Sequence, residues 1–135
     1  MAEVEYGECM SIDLARQNLL QDRSIRGSQF TRQLSDSVDH WLESLFNDAI
    51  GNRSDIALLA VGGYGRQDLS PLSDLDVLLL HRKTEDISEV AEAIWYPIWD
   101  QGEKLGHAVR TIDETLELSA DDLDTATALL SCRHI

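Results

Sequence analysis

Two short apolar segments, separated by a glycine-rich turn, constrain the fold of this chain more than any other feature. The segments lie at 56–61 (IALLAV) and 77–80 (VLLL), and each has the length of a β-strand. The glycine turn (62–65, GGYG) follows the first segment directly, and a second turn (70–73, SPLS) precedes the second. Because these neighbouring strands are joined by so short a connection, we do not expect a doubly wound dinucleotide-binding fold.

The rest of the chain alternates between helical and strand patterns. The spacing of apolar residues predicts helices at 11–26, 34–50 and 85–101, with Pro97 kinking or ending the third, and a strand at 107–111. Two capping-box patterns, Thr111 with Glu114 and Ser119 with Asp122, each predict the start of a further helix. The last helix is expected to run to Ile135, because no stop signal precedes the end of the chain. We therefore predict an α/β (α+β) domain in which helices flank a small mixed sheet.

The charge balance limits the ligands that such a domain can take. With 25 acidic and 11 basic residues among 135, the net charge is −14, which argues against a nucleic-acid partner. No apolar run is long enough to span a membrane, and the start of the chain lacks the pattern of a signal peptide, so a cytoplasmic location is expected. An acidic protein that binds a nucleoside triphosphate needs a divalent cation, local arginines, or both.

Two aspartates stand at the start of the second strand, at Asp74 and Asp76. In a strand, residues i and i+2 point to the same face, so the two carboxylates lie side by side. Like charges this close repel each other and raise each other's pKa, unless a cation lies between them. Mg²⁺ suits such a pair, because it takes hard oxygen ligands and few of them from protein.

The glycine turn supplies the second half of a candidate site. Gly62 and Gly63 let the backbone approach a phosphate closely, and Arg66, one turn later, is within reach of the same phosphate. Taken alone, the aspartates are consistent with a solvated turn and Arg66 with an ordinary surface arginine. Their order, with a strand before the glycines and another at the aspartates, favours a functional site.

These residues resemble the signature of the DNA polymerase beta nucleotidyltransferase superfamily: an apolar residue, two glycines, about a dozen residues, then Asp-apolar-Asp-apolar. The stretch GGYGRQDLSPLSDLDVLLL (62–80) is similar to that of the PII-protein uridylyltransferase/uridylyl-removing family, as are IWYPIWD (94–100), LGHAVRT (105–111) and DTATALL (124–130). The resemblance covers residues 40–135 and implies a polymerase beta-like nucleotidyltransferase fold. We divide the chain into an N-terminal extension (1–30) and a nucleotidyltransferase domain (31–135), and expect a fragment of a longer protein.

The resemblance also implies an activity, a metal and a set of site residues. Family enzymes transfer UMP, or AMP in some relatives, from a nucleoside triphosphate to a tyrosine of the PII nitrogen-regulatory protein. By this resemblance Mg²⁺ is the cofactor, UTP or ATP the nucleotide, and PII the partner. We assign catalytic and metal-binding roles to Asp74 and Asp76. The predicted nucleotide-binding residues are Gly62, Gly63, Arg66, Ser73 and Arg110.

One departure from the superfamily pattern leaves part of the site open. A third carboxylate is usual on a later strand, but the strand at 106–111 (GHAVRT) contains none. Asp113 and Glu114 follow it, where helix capping is the better explanation. His107 and Arg110 are candidates to take over part of the site, although a packed histidine and a salt-bridged arginine explain them as well.

Three alternatives remain at this stage. The chain is a catalytically silent nucleotide- or Mg²⁺-binding module, another small nucleotidyltransferase, or, least favoured, a purely structural protein. Trp95, Tyr96 and Trp99 invite a base-stacking interpretation, but their helical spacing fits core packing better. The sequence does not identify the nucleotide, the third acidic residue or the oligomeric state.

Overall fold

The computed structural model describes residues 12–70 and 73–135 and consists of a four-stranded sheet with helices on both faces. The helices are α1 (Ile12–Gln21), α2 (Ser28–Ile50), α3 (Gly62–Gly65), α4 (Ile87–Asp100), α5 (Ile112–Asp121) and α6 (Leu123–Leu130). The strands are β1 (Ile56–Ala60), β2 (Leu75–His81), β3 (Leu105–Thr111) and β4 (Arg133–His134). The first 11 residues of the predicted N-terminal extension lie outside the described residues.

The sheet is mixed, in the order β3-β2-β1-β4. β1 pairs antiparallel with both β2 and β4, and β2 pairs parallel with β3. A helical crossover, α4, joins the two parallel strands, as parallel pairing requires. The α/β class and the small mixed sheet flanked by helices are therefore confirmed.

One face of the sheet carries the hydrophobic core. Leu58 of β1 and Leu75 and Leu79 of β2 are fully buried there, against α2 and α4. The helix α2 supplies an apolar stripe at the predicted spacing: Leu34, Val38, Trp41, Leu42, Phe46 and Ile50. It ends at Gly51, whose backbone N–H bonds to the carbonyl of Asn47. The opposite face of the sheet is covered only in part, by α6, and this difference leaves room for a site.

Three local predictions about helix boundaries were wrong. The first helix ends at Gln21 rather than at 26, and α4 continues past Pro97 to Asp100. Because Pro97 lies in the last turn, few helical residues follow the hydrogen bond that it removes. Ser119 lies inside α5, since Asp122 is the residue whose side chain caps the next helix by accepting from the backbone N–H of Thr125. The other predicted capping box, Thr111 with Glu114, is present.

The end of the chain also differs from the prediction. The last helix stops at Leu130, and Arg133 and His134 form β4 by pairing with Ala60 and Leu59 of β1. Two residues are too few to leave a strand pattern in the sequence, but they supply hydrogen-bond partners to an otherwise unpaired edge of β1. None of the helices in the described part of the chain is both long and apolar enough to span a membrane.

Candidate active site

The glycine turn begins where β1 ends, and it lies directly beside β2. The backbone N–H of Val61 donates to the carbonyl of Asp76 at 3.0 Å, so the antiparallel pairing extends one residue beyond β1. Gly62 has φ 59°, a left-handed conformation that other residues adopt only with strain. The first turn of α3 therefore starts with a glycine for a backbone reason, and the turn reaches the predicted aspartates.

The carboxylate of Asp76 lies between two glycines. A Cβ placed on Gly62 would be 3.5 Å from Oδ2 of Asp76. The parallel register sets Asp76 opposite Gly106, and a Cβ on Gly106 would overlap Oδ1 and lie 3.3 Å from Cγ of Asp76. The side chain of Asp76 thus extends over β3 at the one position of that strand without a side chain. Sequence reasoning missed Gly106, although a glycine inside a strand is a known signal of such a close approach.

Asp74 lies just before β2, two residues from Asp76, and is exposed. Partial burial, and secondly the negative charge of Asp74, raise the pKa of Asp76. The two carboxylates therefore interact, as their spacing predicted. Among residues 12–70 and 73–135, no group of three histidine, cysteine, aspartate or glutamate side chains is arranged to hold a metal ion. The chain's own contribution to an ion would be this pair.

A cavity of about 360 Å³ opens beside Asp76 on the partly covered face of the sheet. Register pairs Leu78 with Ala108 and Leu80 with Arg110, so Arg110 shares this face with Asp76. The cavity is lined by Val61, Gly62, Asp76, Val77, Leu78, Gly106, His107, Ala108 and Arg110 and, from α6, by Asp124, Thr125, Ala128 and Leu129. The combination of apolar walls with a few polar groups is typical of small-molecule sites. The α6 residues were quoted in the sequence only as part of the family resemblance.

The remaining predicted nucleotide-binding residues lie around this cavity rather than in its wall. Arg66 is exposed; its Nη1 lies 3.3 Å from the hydroxyl of Ser131, and its Nε lies 3.5 Å from Asp68. One of its terminal nitrogens is 3.8 Å from the Cβ position of Gly63, so the guanidinium group lies against the glycine turn. The hydroxyl of Ser73 accepts from the backbone N–H of Ser70 at 3.0 Å and thereby closes the turn before Asp74.

The candidates for a third acidic group face elsewhere. The carboxylate of Glu114 accepts from the backbone N–H of Thr111 at 3.0 Å in the capping box, and Asp113 lines a separate depression beside His81. The ring of His107 lies 5.4 Å from the rings of both Trp95 and Trp99, centroid to centroid. Capping therefore explains Glu114, and packing explains the His107 ring.

The aromatic residues of α4 divide into two groups. Trp95 is buried in the core, as predicted, whereas Tyr96 and Trp99 are 54% and 41% exposed. Core packing is thus the wrong explanation for the latter two, which instead contact each other edge to face at 5.7 Å. None of the three is among the residues that line the cavity, so a base-stacking role finds no support here.

Sequence reasoning also missed a polar network behind the glycine turn. Asp39 of α2 accepts hydrogen bonds from the hydroxyl of Tyr64, in the turn, and from the guanidinium group of Arg133, in β4. We call these three residues the Asp39 network. No sequence pattern connects positions 39, 64 and 133, because each belongs to a different element.

Comparison with curated proteins relates this chain to one kind of enzyme. It is 42% identical over 123 residues to the bifunctional uridylyltransferase/uridylyl-removing enzyme of Streptomyces coelicolor, a match covering 90% of this chain and 15% of that enzyme. Enzymes of the same name from Mycobacterium tuberculosis and Erythrobacter litoralis are 42% and 38% identical, over 74% and 91% of this chain. The chain spans only 13–15% of the length of these relatives. No protein-family model matches it.

Proposed function

Because this chain is related to a segment of the bifunctional uridylyltransferase/uridylyl-removing enzymes, we propose that it binds a nucleoside triphosphate and transfers its nucleotidyl group. The observation that carries the proposal is the position of the Asp76 carboxylate, which lies against the glycine turn on one side and against Gly106 on the other. A carboxylate beside a backbone turn that admits a polyphosphate is the arrangement that nucleotidyl transfer requires. The names of the relatives favour UTP over ATP as the donor.

The residues present fit a magnesium ion. Asp74 and Asp76 offer hard oxygen ligands, and the pKa of Asp76 is raised by burial and by the charge of Asp74, a cost that a divalent cation would offset. Two protein carboxylates are enough, because Mg²⁺ takes its other ligands from phosphates and water. The chemistry such an ion supplies is electrostatic, since it offsets charge on the phosphates and favours the ionised form of an attacking hydroxyl.

The other residues of the site bind and orient the nucleotide in this proposal. The amides at the glycine turn hold the phosphate tail, and Arg110, on the same face as Asp76, neutralises part of its charge. The apolar wall formed by Leu78, Ala108 and Leu129 excludes water on the side of the nucleoside. With a net charge of −14, the chain depends on these local positive groups and on the cation to attract a triphosphate.

The acceptor that we propose is a tyrosine hydroxyl of the PII nitrogen-regulatory protein. The hydroxyl oxygen forms a bond to the α-phosphorus, and the bond between the α-phosphorus and the bridging oxygen of the β-phosphate breaks. Pyrophosphate leaves, and the hydroxyl proton passes to water. Such a reaction is accelerated mainly by positioning and by electrostatic stabilisation, both of which a rigid carboxylate pair and turn provide.

A second function, nucleotide binding without transfer, is favoured by one observation. The described residues bring together two carboxylates and no third acidic group that could share a metal ion. If the segment of relatives that this chain lacks supplies part of the site, the chain binds nucleotide and Mg²⁺ but does not turn over.

One experiment separates these functions. The chain is incubated with PII, Mg²⁺ and labelled UTP or ATP, and both incorporation into PII and nucleotide binding by calorimetry are measured. We expect UMP incorporation, and we expect Asp76→Asn and Asp74→Asn each to reduce it at least about 100-fold, because an ion ligand acts in the transition state. Asp113→Asn, an exposed carboxylate outside the cavity, serves as the control and should retain full activity.

Each outcome of this experiment has one meaning. Binding of UTP without incorporation would support the silent-module alternative. Full incorporation by Asp76→Asn, or no binding of either nucleotide by the wild-type chain, would refute the proposed function.

A further inference from the structure

The Asp39 network joins three elements that are far apart in the sequence. Asp39 accepts from Nη1 and Nη2 of Arg133, the second at 3.1 Å, and from the hydroxyl of Tyr64. Arg133 is 94 residues from Asp39 in the sequence and Tyr64 is 25 residues away. The network therefore fixes the glycine turn to α2 and to β4 at the same time.

Arg133 also holds the backbone of the glycine turn directly. Its Nη2 donates to the carbonyl of Tyr64 at 3.1 Å, and its Nε donates to the carbonyl of Gly65 at 3.3 Å. The guanidinium carbon lies 5.4 Å from the centre of the Tyr64 ring, within the range of a cation–π contact. Two successive carbonyls of the turn are thus anchored by one arginine, whose orientation is set by Asp39.

Burial makes these bonds strong and leaves the turn little freedom to move. Only 1% of the Tyr64 surface is exposed, and burial, then the hydrogen bond to Asp39, raises the pKa of its hydroxyl, which stays protonated. Gly65 packs against backbone on two sides, since a Cβ there would overlap the carbonyl of Ser131 and lie 2.9 Å from that of Ala60. Hydrogen bonds that involve charged, partly buried groups are among the strongest in proteins.

The other end of the glycine turn is the part that meets Asp76. Val61 bonds to the carbonyl of Asp76, and Gly62 lies against its carboxylate. Any displacement of Tyr64 or Gly65 is transmitted to Gly62 through a helical turn of four residues, which is too short to absorb it. The position of Gly62 relative to Asp76 therefore depends on the anchor behind the turn.

We propose that Asp39 is a positioning residue: through Tyr64 and Arg133 it holds the glycine turn against Asp76, and so sets the affinity of the site for nucleotide without touching it. The inference rests on the proposed function for the identity of the ligand. The anchoring itself is a property of the unliganded chain and is measurable on its own.

The test compares Asp39 with a chemically matched aspartate. Asp55 is also held by one arginine and one hydroxyl group, since Arg53 donates to it at 3.2 and 3.1 Å and Thr84 at 2.8 Å. It lies next to the opposite end of β1, away from the glycine turn. The variants Asp39→Asn and Asp55→Asn each remove the charge of an aspartate held in this way, and Asp39→Glu keeps the charge.

Two measurements are made on each variant, below its melting temperature. Backbone amide hydrogen exchange is followed at 62–65 without ligand, and the Kd for UTP with Mg²⁺ is determined by calorimetry. We expect Asp39→Asn to speed exchange in the turn and to raise the Kd about tenfold, which corresponds to the loss of one charged hydrogen bond. Asp55→Asn should change neither quantity, and Asp39→Glu should recover part of both.

The proposal is overturned if exchange in the turn is the same in Asp39→Asn and the wild type, or if Asp55→Asn speeds it equally, since the effect would then reflect general stability. It is also overturned if exchange rises and the Kd does not. If the wild-type chain binds no nucleotide, the proposed function fails, while the exchange comparison still decides whether Asp39 holds the turn. A folding failure of Asp39→Asn is covered by Tyr64→Phe, which removes one hydroxyl and should speed exchange in the turn to a smaller extent.

Discussion

The two ends of β1 each carry an aspartate held by an arginine and a hydroxyl group, but the partners come from different distances. Before the strand, Asp55 is held by Arg53, two residues earlier, and by Thr84, 29 residues later. After the strand, the Asp39 network draws its members from α2, the glycine turn and β4. The first network closes a loop with groups that the local sequence supplies. The second exists only once the sheet and α2 have come together.

This difference separates a local staple from an anchor. Arg53 reaches both Asp55 and Asp86, and all three side chains are at least 32% exposed, so water competes for every bond. Asp39 and Arg133 are less exposed, at 21% and 25%, and Tyr64 is buried. The same chemical groups therefore contribute little where water is present and determine the position of a backbone turn where it is largely excluded.

The largest effect should come from breaking the close packing at the anchored end. In Gly65→Ala the new Cβ meets backbone atoms of Ser131 and Ala60, which cannot rotate away, so we expect unfolding to become easier by about 2–3 kcal/mol. Gly51→Ala is the matched glycine near the other end of β1; it has φ 61° and open space around its Cβ position, so it should lose only about 1 kcal/mol through backbone strain. Urea unfolding of both variants measures the difference, and equal losses would show that packing at Gly65 is not tight.

A smaller effect on stability, but a larger one on the site, is expected for Gly106→Ala. The added methyl group occupies the position of Oδ1 of Asp76, so the carboxylate must turn away from the site. We expect about 1–2 kcal/mol of destabilisation in the wild-type background and almost none in Asp76→Ala, where the overlap is gone. A double-mutant cycle by urea unfolding gives the coupling; a coupling near zero would mean that Asp76 does not lie over Gly106.

The smallest effects are opposite shifts of stability with pH, measured on the metal-free chain. The folded-state pKa of Asp76 is raised, so the unfolded chain loses this proton first and stability falls as pH rises above 3.8. The folded-state pKa of Asp55 is lowered to about 2, chiefly by its hydrogen bond to Arg53, so its contribution is present above pH 3.8 and is lost as pH falls toward 2. At pH 7 we therefore expect Asp76→Asn to unfold less easily than the wild type, and Asp55→Asn more easily.

Both differences should shrink as the pH is lowered from 4 to 2, when the wild-type carboxylates become protonated. Urea unfolding across this range provides the check. A stabilising effect of Asp55→Asn at pH 7 would reverse the assignment of that group, and a destabilising effect of Asp76→Asn would do the same for Asp76.

The centre of the candidate site was predictable because its parts lie close together in the sequence. Gly62 and Asp76 are 14 positions apart, and the apolar segments around them indicated two strands joined by a turn. The periodicity of α2 was equally clear. What these features share is that local spacing alone fixes which side chains face the same way.

The rest of the site depends on contacts that spacing does not encode. Gly106 becomes part of it only through the parallel register of β2 and β3, and Arg133 only through a two-residue strand at the edge of β1. Tyr96 and Trp99 showed the opposite failure, because a helical apolar pattern does not reveal which turn of the helix leaves the core. Sequence periodicity thus located the carboxylates but not the groups that hold them in place.

The hydrogen bond from Val61 to Asp76 has a consequence for how such a site assembles during folding. It makes the phosphate-facing turn and the acidic side chain consecutive rungs of a single hairpin ladder, so their mutual placement is decided by one pairing event between neighbouring segments. Segments this close in the sequence meet early and rapidly, whereas partners almost a hundred residues apart arrive later. The chemistry is therefore brought into register by the hairpin, and later-arriving contacts only make it rigid.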